Sequence, residues 1–195
     1  MSTSKQRNTV ETKRVSELMI PLQDYPIVYI NQTLKDAMRE MEVCQIEFLG
    51  KKTAPRAILV FDLSDQLVGV ARRRDIMRGL EPDFLVRKPL SVRKNLFDEQ
   101  LDPNLSEMSY DRLLKGVFEH SKRSISDVML PVVATIHYDD HIIKAIYEMV
   151  DRNKSLLPVL KDERVVGVLR SVDVYREFSR YILDSEEIDL DCSEK

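Results

Sequence analysis

Glycine, arginine and aspartate recur at one spacing in two places. Gly69-Val70-Ala71-Arg72-Arg73-Arg74-Asp75-Ile76 and Gly167-Val168-Leu169-Arg170-Ser171-Val172-Asp173-Val174 both read Gly-h-h-x-x-x-Asp-h, where h is apolar. A strand that ends in the glycine and turns into a helix aims backbone N–H groups and the positive end of the helix dipole at solvent, which suits an anion. Asp75 and Asp173 can each accept hydrogen bonds from two neighbouring hydroxyls, as on a ribose. Arg72, Arg73 and Arg170 offer planar donor forks to phosphate. A nucleotide carries both groups. The plainer alternative is that the aspartates are only favourable charges near helix N-termini and the arginines are solvated.

The elements that hold these blocks are themselves duplicated. Val15-Ser16-Glu17-Leu18-Met19-Ile20-Pro21 returns as Ile125-Ser126-Asp127-Val128-Met129-Leu130-Pro131, and Leu67-Val68-Gly69-Val70 returns as Val165-Val166-Gly167-Val168. The offset between copies is 110 at Met19 and Met129, 108 at Ala37 and Ala145, and 98 at Gly69 and Gly167. Core elements keep their length and surface loops need not, so variable loops are expected near Leu22 to Ile27 and Glu42 to Arg56. Two copies, not three or more, indicate paired modules instead of a solenoid.

Each copy reads β-α-β-β-α. Ile27 to Ile30 is a short strand. Leu34, Ala37, Met38, Met41 and Cys44 then mark one helical face, with Asn31 or Thr33 as cap and Asp36 completing a capping box with Thr33. The second copy repeats this with Ile142, Ala145, Ile146 and Met149, capped by Asp139 or Asp140. The strand pairs Ala57 to Phe61 with Leu67 to Val70, and Leu156 to Leu160 with Val165 to Val168, precede helices near Arg72 to Leu80 and Ser171 to Tyr181. Pro158 predicts an edge strand or a gap in the ladder. Between the copies, Leu105, Met108, Leu113, Leu114, Val117 and Phe118 predict an amphipathic helix that covers its own domain or a partner subunit.

Composition narrows the function classes. A net charge of -3 argues against a dedicated nucleic-acid binder. The two cysteines, Cys44 and Cys192, argue against a disulfide framework, and no apolar run approaches a membrane span. A cytoplasmic protein is expected. From Asp184 to Lys195 six acids face one lysine, which favours a solvated tail. Gly50-Lys51-Lys52-Thr53 lacks the glycine and hydroxyl positions of a phosphate loop, and His137 with His141 lacks a third metal ligand. No nucleophile and base pair is suggested, so catalysis has little support.

The β-α-β-β-α units, the Ser-x-x-Met-x-Pro lead-ins and the Gly-x-x-x-x-x-Asp endings together resemble two CBS (cystathionine β-synthase) domains, the modules that pair into a Bateman module. The resemblance covers about Val15 to Leu80 and Ile125 to Tyr181. It implies an α/β (α+β) fold of tandem pseudo-symmetric repeats. The divisions are a flexible N-terminus at 1–14, CBS domains at 15–80 and 124–183, an insert with an amphipathic helix at 81–123 and an acidic tail at 184–195. It also implies a stand-alone, non-catalytic sensor without a catalytic cofactor, binding AMP, ADP, ATP or S-adenosylmethionine in clefts between the sheets and relaying this to a regulated protein. A homodimer is expected. In this family the aspartate contacts the ribose, which maps to Asp75 and Asp173. The lead-in and middle strand flank the adenine, which maps to Ile20, Pro21, Leu130, Pro131, Ile58, Leu59, Leu157 and Pro158. The family pattern has Ser or Thr where this chain has Arg72 and Arg170. That change either fills the cleft, leaving a dimerising scaffold that has lost its ligand, or selects ligands richer in phosphate.

Overall fold

In a computed structural model of the chain, residues 13–48, 50–81 and 110–191 are described. Most of the expected flexible N-terminus, the insert residues Leu105 and Met108, and the last four residues lie outside them. The chain divides into a continuous unit, Pro26–Val132, and a discontinuous unit made of Met1–Tyr25 and Val133–Lys195. Elements run α1 (Val15–Leu18), β1 (Ile20–Pro21), β2 (Ile27–Tyr29), α2 (Leu34–Val43), β3 (Ile46–Phe48), β4 (Lys51–Thr53), β5 (Ala57–Phe61), β6 (Leu67–Arg72) and α3 (Arg73–Leu80). They continue as α4 (Tyr110–His120), β7 (Leu130–Pro131), β8 (Ile136–His137), α5 (Ile142–Asp151), β9 (Leu156–Lys161), β10 (Arg164–Arg170) and α6 (Ser171–Asp191).

The continuous unit holds a four-stranded sheet in the order β2-β5-β6-β7, with β2 parallel to β5 and the other pairs antiparallel. Every residue of β5 is buried, as expected of a strand with neighbours on both sides. Against the sheet lies the apolar face of α2, so Leu34, Ala37 and Met41 join Val28, Ile58, Val60, Ala71, Ile76 and Ile125 in one core. Met38, expected on that face, is instead partly exposed. The predicted capping box starts α2: Thr33 Oγ1 accepts from the Asp36 N–H at 3.3 Å, and Asp36 Oδ2 accepts from the Thr33 N–H at 3.0 Å. The stretch expected as a loop near Glu42 to Arg56 contains the β3–β4 hairpin. Gly50 turns it with φ 71°, a left-handed conformation that side chains disfavour.

α4 packs on α3, and the turn after it caps α2. The Leu34 N–H donates to Arg123 O and the Lys35 N–H to Ser121 O, both at 2.9 Å. Two of the four N–H groups that a helix start leaves open are thereby satisfied. Leu113 and Val117 are half-buried while Leu114 and Phe118 are 49% and 53% exposed. The Lys35 and Lys122 ammoniums lie 5.6 and 5.1 Å from the Phe118 ring centroid, a cation–π arrangement on both.

The discontinuous unit repeats the design with the order β1-β10-β9-β8. Here the Ile142 N–H donates to Lys13 O at 3.1 Å. The cap of α5 is His141, not Asp139 or Asp140 as the sequence suggested. Asp140 is spent on the preceding turn, where it accepts from the His137 N–H at 3.0 Å and the Lys144 ammonium at 2.8 Å. Pro158 sits in an interior strand, not at an edge. Its effect is the predicted gap: in the continuous unit the Leu59 N–H donates to Pro26 O at 3.2 Å, whereas Pro158 has no N–H to give. Pairing of β8 with β9 accordingly begins one residue later, at Ile136 with Val159. α6 runs on to Asp191, so most of the segment expected as a solvated tail is helical. No glycine or proline interrupts it, and a helix already anchored by its buried first turns extends at little cost.

Candidate functional site

The two lead-ins exchange places. β1, from the first copy, pairs with β10 of the second (Ile20 with Val168, Pro21 with Gly167). β7, from the second copy, pairs with β6 of the first (Gly69 with Pro131, Val70 with Leu130). The predicted site residues thus collect as Ile58, Leu59, Arg72, Arg73, Asp75, Leu130 and Pro131 in the continuous unit, and Ile20, Pro21, Leu157, Pro158, Arg170 and Asp173 in the discontinuous one. Pro21 and Pro131 are exposed, while Ile58, Leu59, Leu157 and Pro158 are buried.

The motif glycines do something other than end a strand. β6 continues past Gly69 to Arg72 and β10 past Gly167 to Arg170, so neither glycine opens a helix N-terminus. Each is where the exchanged lead-in crosses. A Cβ on Gly69 would lie 2.7 Å from Met129 Sδ and 3.1 Å from Leu130 O. On Gly167 it would collide with the backbone carbonyl oxygen of Ile20. Both glycines adjoin a β-bulge that falls at Val68 and Val166.

The helix starts themselves are occupied. Arg72 is the N-cap of α3 and Asp75 is its third helical residue, the spacing of a capping box. Asp75 Oδ2 accepts from the Arg72 N–H at 3.1 Å and from Arg72 Nε at 2.6 Å, and Oδ1 accepts from Nη2 at 3.0 Å. The second copy repeats the fork: Arg170 Nε donates to Asp173 Oδ2 at 2.5 Å and Nη2 to Oδ1 at 2.9 Å. Asp75 is 2% exposed and Asp173 0%. Burial alone would raise the Asp75 pKa, but the Arg72 side-chain and backbone donors, with the charges of Arg72 and Arg74, outweigh it and hold the carboxyl below its ordinary value.

Each fork is a charge-neutral, bidentate pair in which the guanidinium gives two N–H donors to the carboxylate. It therefore holds a planar cation in a fixed pose at the start of the helix. Sequence reasoning named both partners but assigned them separately to phosphate and ribose. The available signal was the repeated Arg-x-x-Asp spacing, the same interval that joins Thr33 to Asp36. Arg73, the remaining predicted cation, is exposed; its N–H donates to Arg56 O at 3.1 Å.

A model of the CBS domain family matches residues 15–82 and 125–180, well over half of the chain. The chain belongs to the CBS domain family. Solved structures of CBS proteins share its fold. CBSX2 from Arabidopsis thaliana, in complex with AMP, is 17% identical with a TM-score of 0.53, over 86% of this chain and 97% of that one. The CBS domain pair of protein MJ0100, in complex with 5′-methylthioadenosine and S-adenosyl-L-methionine, is 18% identical with a TM-score of 0.54, over 87% of this chain and 98% of that one. The cytosolic domain of the Mg2+ channel MgtE, in complex with ATP, is 19% identical with a TM-score of 0.53; the match covers 84% of this chain and 48% of that one. None of the curated proteins compared matches the chain. Among the described residues no helix is long and apolar enough to cross a membrane.

Proposed function

We propose that this CBS pair is a non-catalytic regulatory module of the cytoplasm that binds an adenine nucleotide and relays its occupancy to a partner protein, acting as a homodimer. The observation that carries this reading is the Arg72–Asp75 fork at the start of α3, followed by the exposed cations Arg73 and Arg74. Phosphate would take the free donors of Arg72 and the two following arginines. Asp75, once released in part, would accept the ribose hydroxyls, with Leu130 and Pro131 of β7 and the β5 backbone at Ile58 and Leu59 beside the base. Ile20, Pro21, Leu157, Pro158, Arg170 and Asp173 form the equivalent set. That relatives of the same fold bind AMP, ATP or S-adenosylmethionine supports the adenosyl class. The duplicated sequences 15–80 and 124–183 are the units that were paired to make the module.

Thermal unfolding and calorimetry with ATP, ADP, AMP and S-adenosylmethionine test the reading, because a ligand that binds only the folded chain raises its apparent stability. ATP or ADP should bind tighter than AMP, and Arg72→Ala should weaken ATP more than AMP, by about 1.5 to 3 kcal/mol for one lost charge-assisted contact. Tighter AMP binding, or an equal loss for both ligands, refutes the phosphate assignment. A second reading, a dimerising scaffold that has lost its ligand, is favoured by the closure of both carboxylates. It predicts that none of the four compounds shifts the unfolding temperature.

A further inference from the structure

We propose that the two forks have different jobs: the Arg72–Asp75 fork of the continuous unit takes a nucleoside di- or triphosphate, while the Arg170–Asp173 fork is a fixed structural pair that takes none. This rests on the adenosyl reading above and narrows it to one site per chain and to the polyphosphate class.

The asymmetry lies in what surrounds two otherwise matching pairs. The Arg72 side chain is 34% exposed, that of Arg170 only 11%. After Arg72 come Arg73 and Arg74, both exposed; after Arg170 come Ser171 and Val172, which carry no charge. A nucleotide bearing three or four negative charges meets a cluster of three guanidiniums at the first fork. At the second it meets Arg170, which is mostly buried, and Arg176, which is already drawn to Asp173 at 3.6 Å.

Each carboxylate also has a second arginine within reach. If Arg72 turns toward a ligand, Arg74 Nε already lies 4.0 Å from Asp75 Oδ1 and can take over the carboxylate charge. Asp173 has a comparable neighbour, Arg176, which is a third exposed with Nη1 3.6 Å from Oδ1, so the difference rests on the first partner: Arg170 is 11% exposed where Arg72 is 34%. Turning Arg170 toward a ligand would take a mostly buried guanidinium away from a carboxylate that has no exposed surface, and breaking such a buried pair is unfavourable. Among the described residues the Arg73 guanidinium has no ion-pair partner, so its donors are open to phosphate.

Calorimetric titration of the full-length chain with ATP decides this, using wild type, Arg73→Gln with Arg74→Gln, and Ser171→Arg with Val172→Arg. The expected result is one ATP per chain for wild type. The Arg73/Arg74 double variant should bind ATP at least about tenfold more weakly, while AMP binding changes far less, because two charge-assisted contacts to the outer phosphates are lost. The Ser171/Val172 variant should still bind a single ATP, since its second fork stays closed. Both substituted pairs include only exposed or half-buried surface positions, so folding survives the test. Two equivalent ATP sites in wild type, or an unchanged ATP affinity in the Arg73/Arg74 variant, overturns the asymmetry while leaving the adenosyl reading standing. Absence of binding by ATP, ADP, AMP and S-adenosylmethionine alike overturns that reading and this inference together.

Discussion

Replacing Arg170 by methionine, with no ligand present, tests how firmly the second fork is tied to the fold. The substitution keeps much of the aliphatic stem and removes the guanidinium, leaving the Asp173 carboxyl at 0% exposure without its main partner. Breaking one side of a buried ion pair costs about 3 to 5 kcal/mol, because the remaining charge has lost both water and partner. Arg176 at 3.6 Å offsets part of that, which places the loss near the lower end, about 3 kcal/mol. For a chain of this size that is a fall of about 6 to 12 °C in melting temperature. Removing both charges, with Arg170→Met and Asp173→Asn together, should cost less than Arg170→Met alone, since no unpaired charge is then left behind. Arg72→Met should be milder, about 1 kcal/mol. Its side chain is a third exposed, Asp75 keeps the Arg72 N–H, and solvent screens the pair. Circular dichroism melts of the four proteins at pH 7 give all the numbers. A loss for Arg72→Met equal to or larger than that for Arg170→Met refutes the argument, as does a double variant that is worse than the single one.

Gly167→Ala should destabilise more than Gly69→Ala, by about 1 to 3 kcal/mol in chemical denaturation, since the first meets a backbone carbonyl and the second mainly the flexible Met129 side chain; equal costs would mean that the lead-in contact does not set the glycine. The lowered pKa values of Asp36, Asp75 and Asp140 mean that these carboxylates contribute stability above their unfolded pKa, near 4, and lose it as pH falls through the still lower folded values. Melting temperature should therefore hold steady above about pH 5 and drop below about pH 4, with Asp75→Asn showing a shallower drop, and an unchanged slope in that variant would remove Asp75 from the account. Light scattering at micromolar concentration should report twice the 22.7 kDa chain mass, and Leu114→Asp with Phe118→Asp should halve it; a monomeric wild type rejects the dimer.

Much of this architecture was legible because it rests on local periodicity. Leu34, Ala37 and Met41, and Ile142, Ala145 and Met149, fall on buried faces as their spacing requires, and the Thr33–Asp36 box closes as its residue types demand. The exchange of lead-ins was not legible, and the repeat itself hides it. Met19-Ile20-Pro21 and Met129-Leu130-Pro131 are alike enough that either fits beside either glycine, so only the three-dimensional path distinguishes the pairings. The forks escaped for a different reason. Arginine beside a helix N-terminus reads as a cation looking for an anion, and the nearest anion was its own residue three positions on. Helical extension of α6 through Glu186, Glu187 and Asp189 ran against charge, since acids near a helix C-terminus face the negative end of the dipole.

Because β1 pairs with β10, the chain is nested: both of its ends belong to one unit, and the other unit lies whole between them. During synthesis the middle unit is the first to be completed, at Pro131, when β7 closes the edge of β6. Val15 to Pro21 must by then wait, unpaired, for a partner strand that ends at Arg170. Contacts of such long sequence separation form late and slowly. A cut between the copies, around Ser124, would for the same reason not liberate two modules. The front fragment would keep β6 with a bare edge and an apolar lead-in meant for another sheet, and the rear fragment would keep β10 in the same condition. Two bare edges and two loose strands of matching sequence are a recipe for pairing between molecules, so the nested path protects the chain from aggregation only while it remains intact.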